Sequence, residues 1–267
     1  MERPIVALDT ERPASRGAPH LLELAAVRVV EGEIVDQFDS LVCPAIPIEP
    51  AVTELHGIDE GQVRDAPPVE QVLGEFTDWV ADDWMVAHRA EADAELLAFE
   101  YQRARLEPPP GLFLDTLTLS RRYLPDAPDH KLATLAEYLE LEQFDSHRAL
   151  PDAVTCWKVL EECLEQAGGL ESTPLSLLLS QCGAPTTVTS MAPRTPRLKP
   201  RQRGLTRAIE HSEEVRISYG DGTAPAAALP VLPRFLYRRS GKGYLEAECL
   251  QSGLLKTYLI DRIQKLL

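Results

Sequence analysis

The chain has 267 residues, 44% of them hydrophobic, enough for one well-buried domain and a smaller one. Its net charge of −15 is unevenly spread: residues 1–170 hold 13 Lys and Arg against 34 Asp and Glu, and residues 171–267 hold 14 against 8. No apolar run is long enough to span a membrane, "MERPIVALDT" lacks the basic start and length of a secretory signal, and five cysteines without a Cys-x-x-Cys pair argue against a disulfide framework or a structural zinc site, so a reducing cytoplasm is expected.

"PIVALDTE" is a short apolar run that reads as a strand, and "LLELAAVRVVEGEIVDQFDSLVCP", broken at Glu31-Gly32-Glu33, continues it as an antiparallel meander. "PVEQVLGEFTDWVAD" places Val69, Val72, Leu73, Phe76, Trp79 and Val80 on one helical face. "WMVAH" is a short buried strand, and "AELLAFEYQRARL" is a helix that ends before Pro108-Pro109-Pro110. "LFLDTLTLSRRYL", "KLATLAEYLEL" and "DAVTCWKVLEECLEQ" supply further helical material, stopped at Gly168-Gly169. Strands first and alternating elements afterwards predict an α/β domain over residues 1–168. Residues 169–203 are rich in Pro, Ser and Thr, carry the apolar patch "PLSLLL" and then the basic run "RTPRLKPRQRG", and read as a linker. The patch suits a last amphipathic turn packed on the first domain. Residues 204–267 begin with a helical segment, "LTRAIEHSEE". The short runs "VRISYG", "ALPVLPRFLYRR", "GYLEAECLQ" and "LKTYLIDRI" then give the pattern of a small barrel.

Chemistry-bearing residues fall at the ends of these elements. Asp9 and Glu11 are two apart on a strand, so they share a face, and two carboxylates this close repel unless a cation neutralises them. A hard divalent ion such as Mg²⁺ or Mn²⁺ suits carboxylates and keeps positions for water and phosphate. Asp93 follows "WMVAH" and opens a helix. In "HRALPDA", His147 precedes Asp152 by five residues. By themselves Pro151 and Asp152 also suit a plain helix entry, since proline is favoured in the first turn and an acid beside the positive dipole end.

In order and spacing these segments resemble the DnaQ-like 3′ to 5′ exonucleases of the DEDDh type. "VALDTE" is similar to the family's strand ending in Asp-x-Glu, "HRAEAD" at residues 88–93 to its His-Asn-x-x-Phe-Asp, and "HRALPDA" to its His-x-Ala-x-x-Asp-Ala. "LLELAAVRV", "LHGI" and "DTLTLSRRYLP" stand where the family has similar strings. The resemblance covers about residues 1–165 and implies a ribonuclease-H-like domain with a mixed sheet. It further implies that Asp9, Glu11, Asp93 and Asp152 hold two divalent ions, Mg²⁺ or Mn²⁺, that clamp the scissile phosphate, while His147 takes a proton from the attacking water. The implied partner is a single-stranded 3′ end of a nucleic acid, the implied product a nucleoside 5′-monophosphate. Thr10, Arg12, His56, His88 and Arg89 are then candidates for contact with the nucleic acid or for shaping the site's walls. The pattern departs from the family at Arg12-Pro13-Ala14, where Thr-Thr-Gly or Thr-Ser-Gly is usual, and at Arg89 and Ala92, which replace Asn and an aromatic.

"GYLEAECL" followed by "KTYLIDRI" resembles WYL domains, which implies an Sm-like barrel over residues 204–267, although Gly243 replaces the tryptophan that names the family. Members of that family are thought to bind nucleic acid or a nucleotide-like ligand, so Arg234, Arg238, Arg239, Lys242, Tyr244 and Arg262 become candidates. The basic run adds Arg194, Arg197, Lys199, Arg201 and Arg203 as phosphate contacts, and Arg207 extends it. Three functions stay open: a DNA 3′ exonuclease in repair or proofreading, an RNA or oligoribonucleotide 3′ exonuclease, and a binding or sensing module with weak or lost hydrolysis. A protein partner for the barrel also stays open.

Overall fold

The computed structural model of the chain describes residues 4–141, 147–169, 172–220 and 227–267. The first strand, β1 (Ile5–Glu11), sends Ile5 and Ala7 into one core and Val6 and Leu8 into another, as a two-residue period requires of a strand covered on both faces. Antiparallel to it lies β2 (Glu23–Val30), with Asp9 opposite Ala25 and Glu11 opposite Glu23. Then β3 (Glu33–Leu41) forms a largely exposed outer strand.

Two short helices follow. The first, α1 (Pro50–His56), starts on a proline and ends at Gly57, whose φ of 72° is the left-handed conformation of a helix stop. The second, α2 (Glu60–Val63), is held by reciprocal capping between Asp59 and Gln62. Next come α3 (Val69–Val80), β4 (Trp84–Ala87), α4 (Ala90–Ala104), β5 (Phe113–Asp115), α5 (Thr116–Tyr123), α6 (Leu132–Tyr138) and α7 (Ala149–Ala167).

β4 runs parallel to β1 and β5 parallel to β4, which gives a mixed sheet in the order β3-β2-β1-β4-β5. On one face α3 and α4 cover it through Val72, Phe76, Leu97 and Tyr101. On the other, α5, α6 and α7 contribute Leu119, Leu135, Trp157 and Leu160. This second face carries the odd-numbered side chains of β1, so Asp9 and Glu11 point toward α7.

The structure differs from the sequence reading in four places. "LFLDTLTLSRRYL" is not helical throughout: Phe113–Asp115 pairs with β4, and the Asp115 carboxylate accepts from the Leu117 N–H to start α5. The stretch from Gly169 to Arg203 is not one linker. Its α8 (Leu175–Gln181) packs Leu178 into the α7 side of the core, Thr186 bridges Phe113, and Val188 enters the opposite core. The division between the two compact units falls between Ala192 and Pro193.

The basic run belongs to the second unit. Pro193, Pro196, Gln202 and Leu205 are buried, and Gln202 donates its amide hydrogens to the carbonyls of Ile260 and Ile263 at 2.8 and 2.7 Å. Gly243 is close-packed, because a Cβ there would stand 2.7 Å from Cβ of Pro196. That tightness explains a glycine at the position where the resembled family has tryptophan.

Beyond α9 (Gly204–Glu210) lie β6 (Val215–Tyr219), β7 (Ala227–Arg239), β8 (Lys242–Cys249), β9 (Leu254–Leu259) and β10 (Ile263–Leu266). They form one antiparallel sheet in the order β10-β6-β7-β8-β9. The expected closed barrel is not found among the described residues. The 3-10 turn Ile260–Arg262 carries the chain from the β9 edge to the β6 edge, so β9 and β10 lie on opposite margins. All five cysteines are free, and no described helix is long and apolar enough to cross a membrane.

Candidate active site

The site is built where β1 ends. Asp9 and Glu11 project on the α7 side, and the first turns of α7 bring Asp152 over them, so one carboxylate oxygen from each of the three lies within 4.8 Å of the others. Thr10 points to the opposite face and donates its hydroxyl to Oδ1 of Asp93, in the first turn of α4, at 2.6 Å. Asp93 is therefore anchored beside the cluster rather than inside the three-acid group. His147 stands exposed before α7, with a left-handed φ of 68°, and its backbone N–H donates to Oδ2 of Asp152 at 3.3 Å.

The electrostatics are those of crowded acids. Burial raises the Asp9 carboxyl well above its usual range, and Asp93, Asp152, Glu11 and Glu23 raise it further. Glu11 is pushed up to about 8, first by burial and then by Asp152, Glu23 and Asp93, with Arg12 offsetting the smallest part. Burial lifts Asp93 to about 6 against the pull of the Thr10 hydroxyl and the Arg12 guanidinium. It also lifts Asp152, against the His147 N–H and imidazole. A cation joining these groups would offset both their burial and their mutual repulsion. The donors are all carboxylate oxygens, with no thiolate among them, which fits a hard divalent ion of the Mg²⁺ or Mn²⁺ kind.

The other sequence candidates divide by what their side chains touch. Besides Thr10, Arg12 is partly committed, donating from Nη2 to the Ala92 carbonyl at 3.0 Å. Of the two roles open to His88, its ring contacts suit shaping the wall: Nδ1 meets the Thr116 hydroxyl at 2.9 Å and Nε2 the His130 carbonyl at 2.8 Å, so both ring nitrogens are used inside the fold. His56 is buried, and its Nδ1 accepts from the Ile58 N–H, which fixes the tautomer with the proton on Nε2. The Arg89 side chain is exposed, while its backbone N–H, at a left-handed φ of 69°, donates to Asp115.

In the second unit Arg194, Arg197, Arg201, Arg203, Lys242 and Arg262 are exposed. Lys199 lies 3.4 Å from Asp261, Arg207 3.4 Å from Glu213 and Arg234 3.1 Å from Glu248. Arg238 is exposed and reaches the Gly241 carbonyl, and Arg239 keeps only part of its surface in solvent. Tyr244 is half-buried and stacks on Tyr237 at 5.2 Å.

Sequence reading missed Glu23 and Arg148. The Glu23 carboxylate, 1% exposed, accepts from Arg148 Nε at 3.0 Å, from Nη2 at 2.5 Å and from the Ala149 N–H at 2.9 Å. A signal was present: Glu23 shares strand parity with Ala25, Val27 and Val29, so an acid faces the covered side of the sheet and requires a cation.

Acids gathered where the parallel strands of a mixed sheet end define a nuclease of the ribonuclease-H-like class. The chain belongs to the exonuclease family, whose RNase T-type model matches residues 6–160, and residues 202–266 match the WYL domain. Over 150 residues it is 37% identical to DNA polymerase III PolC-type of Oceanobacillus iheyensis, covering 55% of this chain and 10% of that protein. The chain thus spans about a tenth of the length of such relatives.

Exonuclease X, solved in complex with 5′ overhanging duplex DNA, is 27% identical with a TM-score of 0.52, covering 67% of this chain and 99% of that one. The nuclease domain of 3′hExo, a DEDDh family member bound to rAMP, is similar in fold, with a TM-score of 0.55, 21% identity and coverage of 62% and 93%.

Proposed function

We propose that the protein is a divalent-metal-dependent 3′ to 5′ exonuclease that releases nucleoside 5′-monophosphates from DNA ends, in repair or proofreading. The observation that carries this reading is the convergence of Asp9, Glu11 and Asp152 within 4.8 Å, with Asp93 close enough to repel Asp9 and the His147 backbone bound to Asp152. DNA is favoured over RNA because the relatives at 27% and 37% identity are a DNA-bound exonuclease and a DNA polymerase, whereas the 3′hExo likeness speaks to fold alone.

Asp9, Glu11, Asp152 and Asp93 would hold two Mg²⁺ or Mn²⁺ ions, which supply positive charge to a transferring phosphoryl group and lower the cost of ionising water. The chain's residues do the rest. Thr10 fixes Asp93 by its hydroxyl, so that carboxylate keeps one oriented oxygen. The Asp152 contact to the His147 backbone ties this residue to the start of α7, and its imidazole would accept a proton from the attacking water as the water oxygen bonds phosphorus and the 3′ oxygen of the preceding nucleotide leaves. Arg12, whose charge acts on Glu11 and Asp93, and the exposed Arg89 would supply guanidinium hydrogens for phosphate oxygens of the strand.

The exposed cations of Pro193–Arg207 add contacts to backbone phosphates that carry no sequence information. The WYL unit is the second nucleic-acid-binding element, with Arg238, Lys242, Tyr244 and Arg262 as its contacts and closure of its sheet toward an Sm-like barrel as a finer expectation. Incubating the protein with 5′-labelled single-stranded DNA, duplex DNA and RNA, in Mn²⁺, Mg²⁺ or EDTA, tests the reading. Stepwise shortening of DNA that EDTA abolishes supports it, and intact substrates under every metal overturn it.

A further inference from the structure

One ion pair near the cluster lies outside the three-acid group: the buried Glu23 carboxylate and the partly exposed Arg148 guanidinium. Glu23 lies directly opposite Glu11 across β1 and β2, a like-charge pairing that weakens a sheet unless one partner is neutralised. Arg148 neutralises it with a fork of two N–H groups, and the Ala149 N–H, at the first position of α7, completes the set. Three donors thus engage the two oxygens of Glu23, which separates it in kind from Asp9, Glu11 and Asp152. The same guanidinium also faces Asp39 on β3 and Glu11.

This bridge spans 125 residues of sequence and ends between the two groups that matter most to the proposed chemistry. His147 precedes Arg148, and Asp152 lies one turn after it in α7. The left-handed backbone at His147 costs a non-glycine residue conformational energy, and it is held from one side by Asp152 and from the other by the arginine bound to β2.

The structure assigns Glu23 and Arg148 as positioning residues: β2 clamps the start of α7 through their ion pair, setting Asp152 and His147 against Asp9 and Glu11. The assignment rests on the exonuclease reading for its kinetic consequences, and on the carboxylate cluster alone for its metal-binding ones.

The test uses the full chain with Arg148→Ala, Arg148→Lys, Glu23→Gln and the double variant Glu23→Gln/Arg148→Ala, each checked for folding by circular dichroism and thermal melting. Groups that orient metal ligands without binding the ion typically contribute 10–100-fold to affinity or activity. Isothermal titration of metal-free protein with Mn²⁺ should therefore show Arg148→Ala binding on the order of 10-fold more weakly. On single-stranded DNA its kcat should fall roughly 10–100-fold with KM unchanged, and methylguanidine in solution should restore part of the loss.

Arg148→Lys keeps the charge without the fork and should lie between wild type and Arg148→Ala. The double variant should lose no more than the worse single one, because both remove the same clamp. Folded Arg148→Lys and Glu23→Gln proteins with wild-type Mn²⁺ affinity would overturn the assignment. If the wild type cleaves nothing, the exonuclease reading falls, and the Mn²⁺ titration still decides the clamp.

Discussion

At the end of β1 three carboxylates are pressed within 4.8 Å of one another, while in the second unit Arg194, Arg197, Arg201 and Arg203 stand exposed between the buried residues Pro193, Pro196, Gln202 and Leu205. The acids are held by structure from far apart in the chain: Asp93 by Thr10, Asp152 by its place on α7, Glu23 by Arg148. The cations are held only through their backbone, which Pro193, Pro196, Gln202 and Leu205 pin to the sheet. One region stores repulsion that a bound ion can use, and the other spreads charge that a polyanion can meet in many registers. Substitutions in the first should consequently act on turnover, and those in the second on binding and its response to salt.

Asp9→Ala breaks the contrast most severely. Hydrolysis should fall below detection in the labelled-DNA assay, while the metal-free variant should melt no lower than metal-free wild type, because removing one of several repelling carboxylates relieves the empty cluster. His147→Ala comes next. Turnover should drop on the order of 10² to 10⁴, the usual contribution of a positioned general base, with Mn²⁺ affinity by calorimetry retained and part of the rate recovered at higher pH. Normal turnover at neutral pH would reduce "HRALPDA" to a helix entry.

The stored repulsion has its own signature in metal-free protein. Glu11 has an ordinary pKa of 4.5 when unfolded and about 8 when folded, so the folded state holds its proton more tightly. The stabilisation from that proton is complete below pH 4.5 and is lost as the pH rises through 8. Melting temperature measured from pH 5 to 8.5 should therefore contain a falling component that Glu11→Gln removes and that saturating Mg²⁺ suppresses. A melting curve on which neither change has any effect would contradict the crowding described for this site.

Smallest in catalytic terms is removal of residues 193–267. The maximal rate should be nearly unchanged, while DNA affinity weakens. Its log–log salt slope should flatten by roughly 2 units if about three phosphate contacts are lost, alike for different base sequences. An unaltered slope would move strand binding to Arg12, Arg89 and their neighbours, and would leave the WYL unit for a nucleotide-like ligand or a protein partner.

The sequence by itself determined the elements and the acids. Period-two and helical patterns located β1, β2, α3, α4 and α7, because burial of apolar faces is a local constraint written along the chain. Asp9, Glu11, Asp93, His147 and Asp152 stood out as candidates because they fall at strand and helix ends in the order of the resembled motifs, and the fold brings Asp9, Glu11 and Asp152 together. Tertiary structure decided what each side chain meets. It turned His88 inward to Thr116 and His130, joined Glu23 to Arg148, set Val188 in the first core, and put β9 and β10 at opposite ends of the second sheet's strand order. Those outcomes depend on register and packing between segments distant in sequence, where hydrogen-bond geometry is settled within a few tenths of an ångström and local pattern carries no such information.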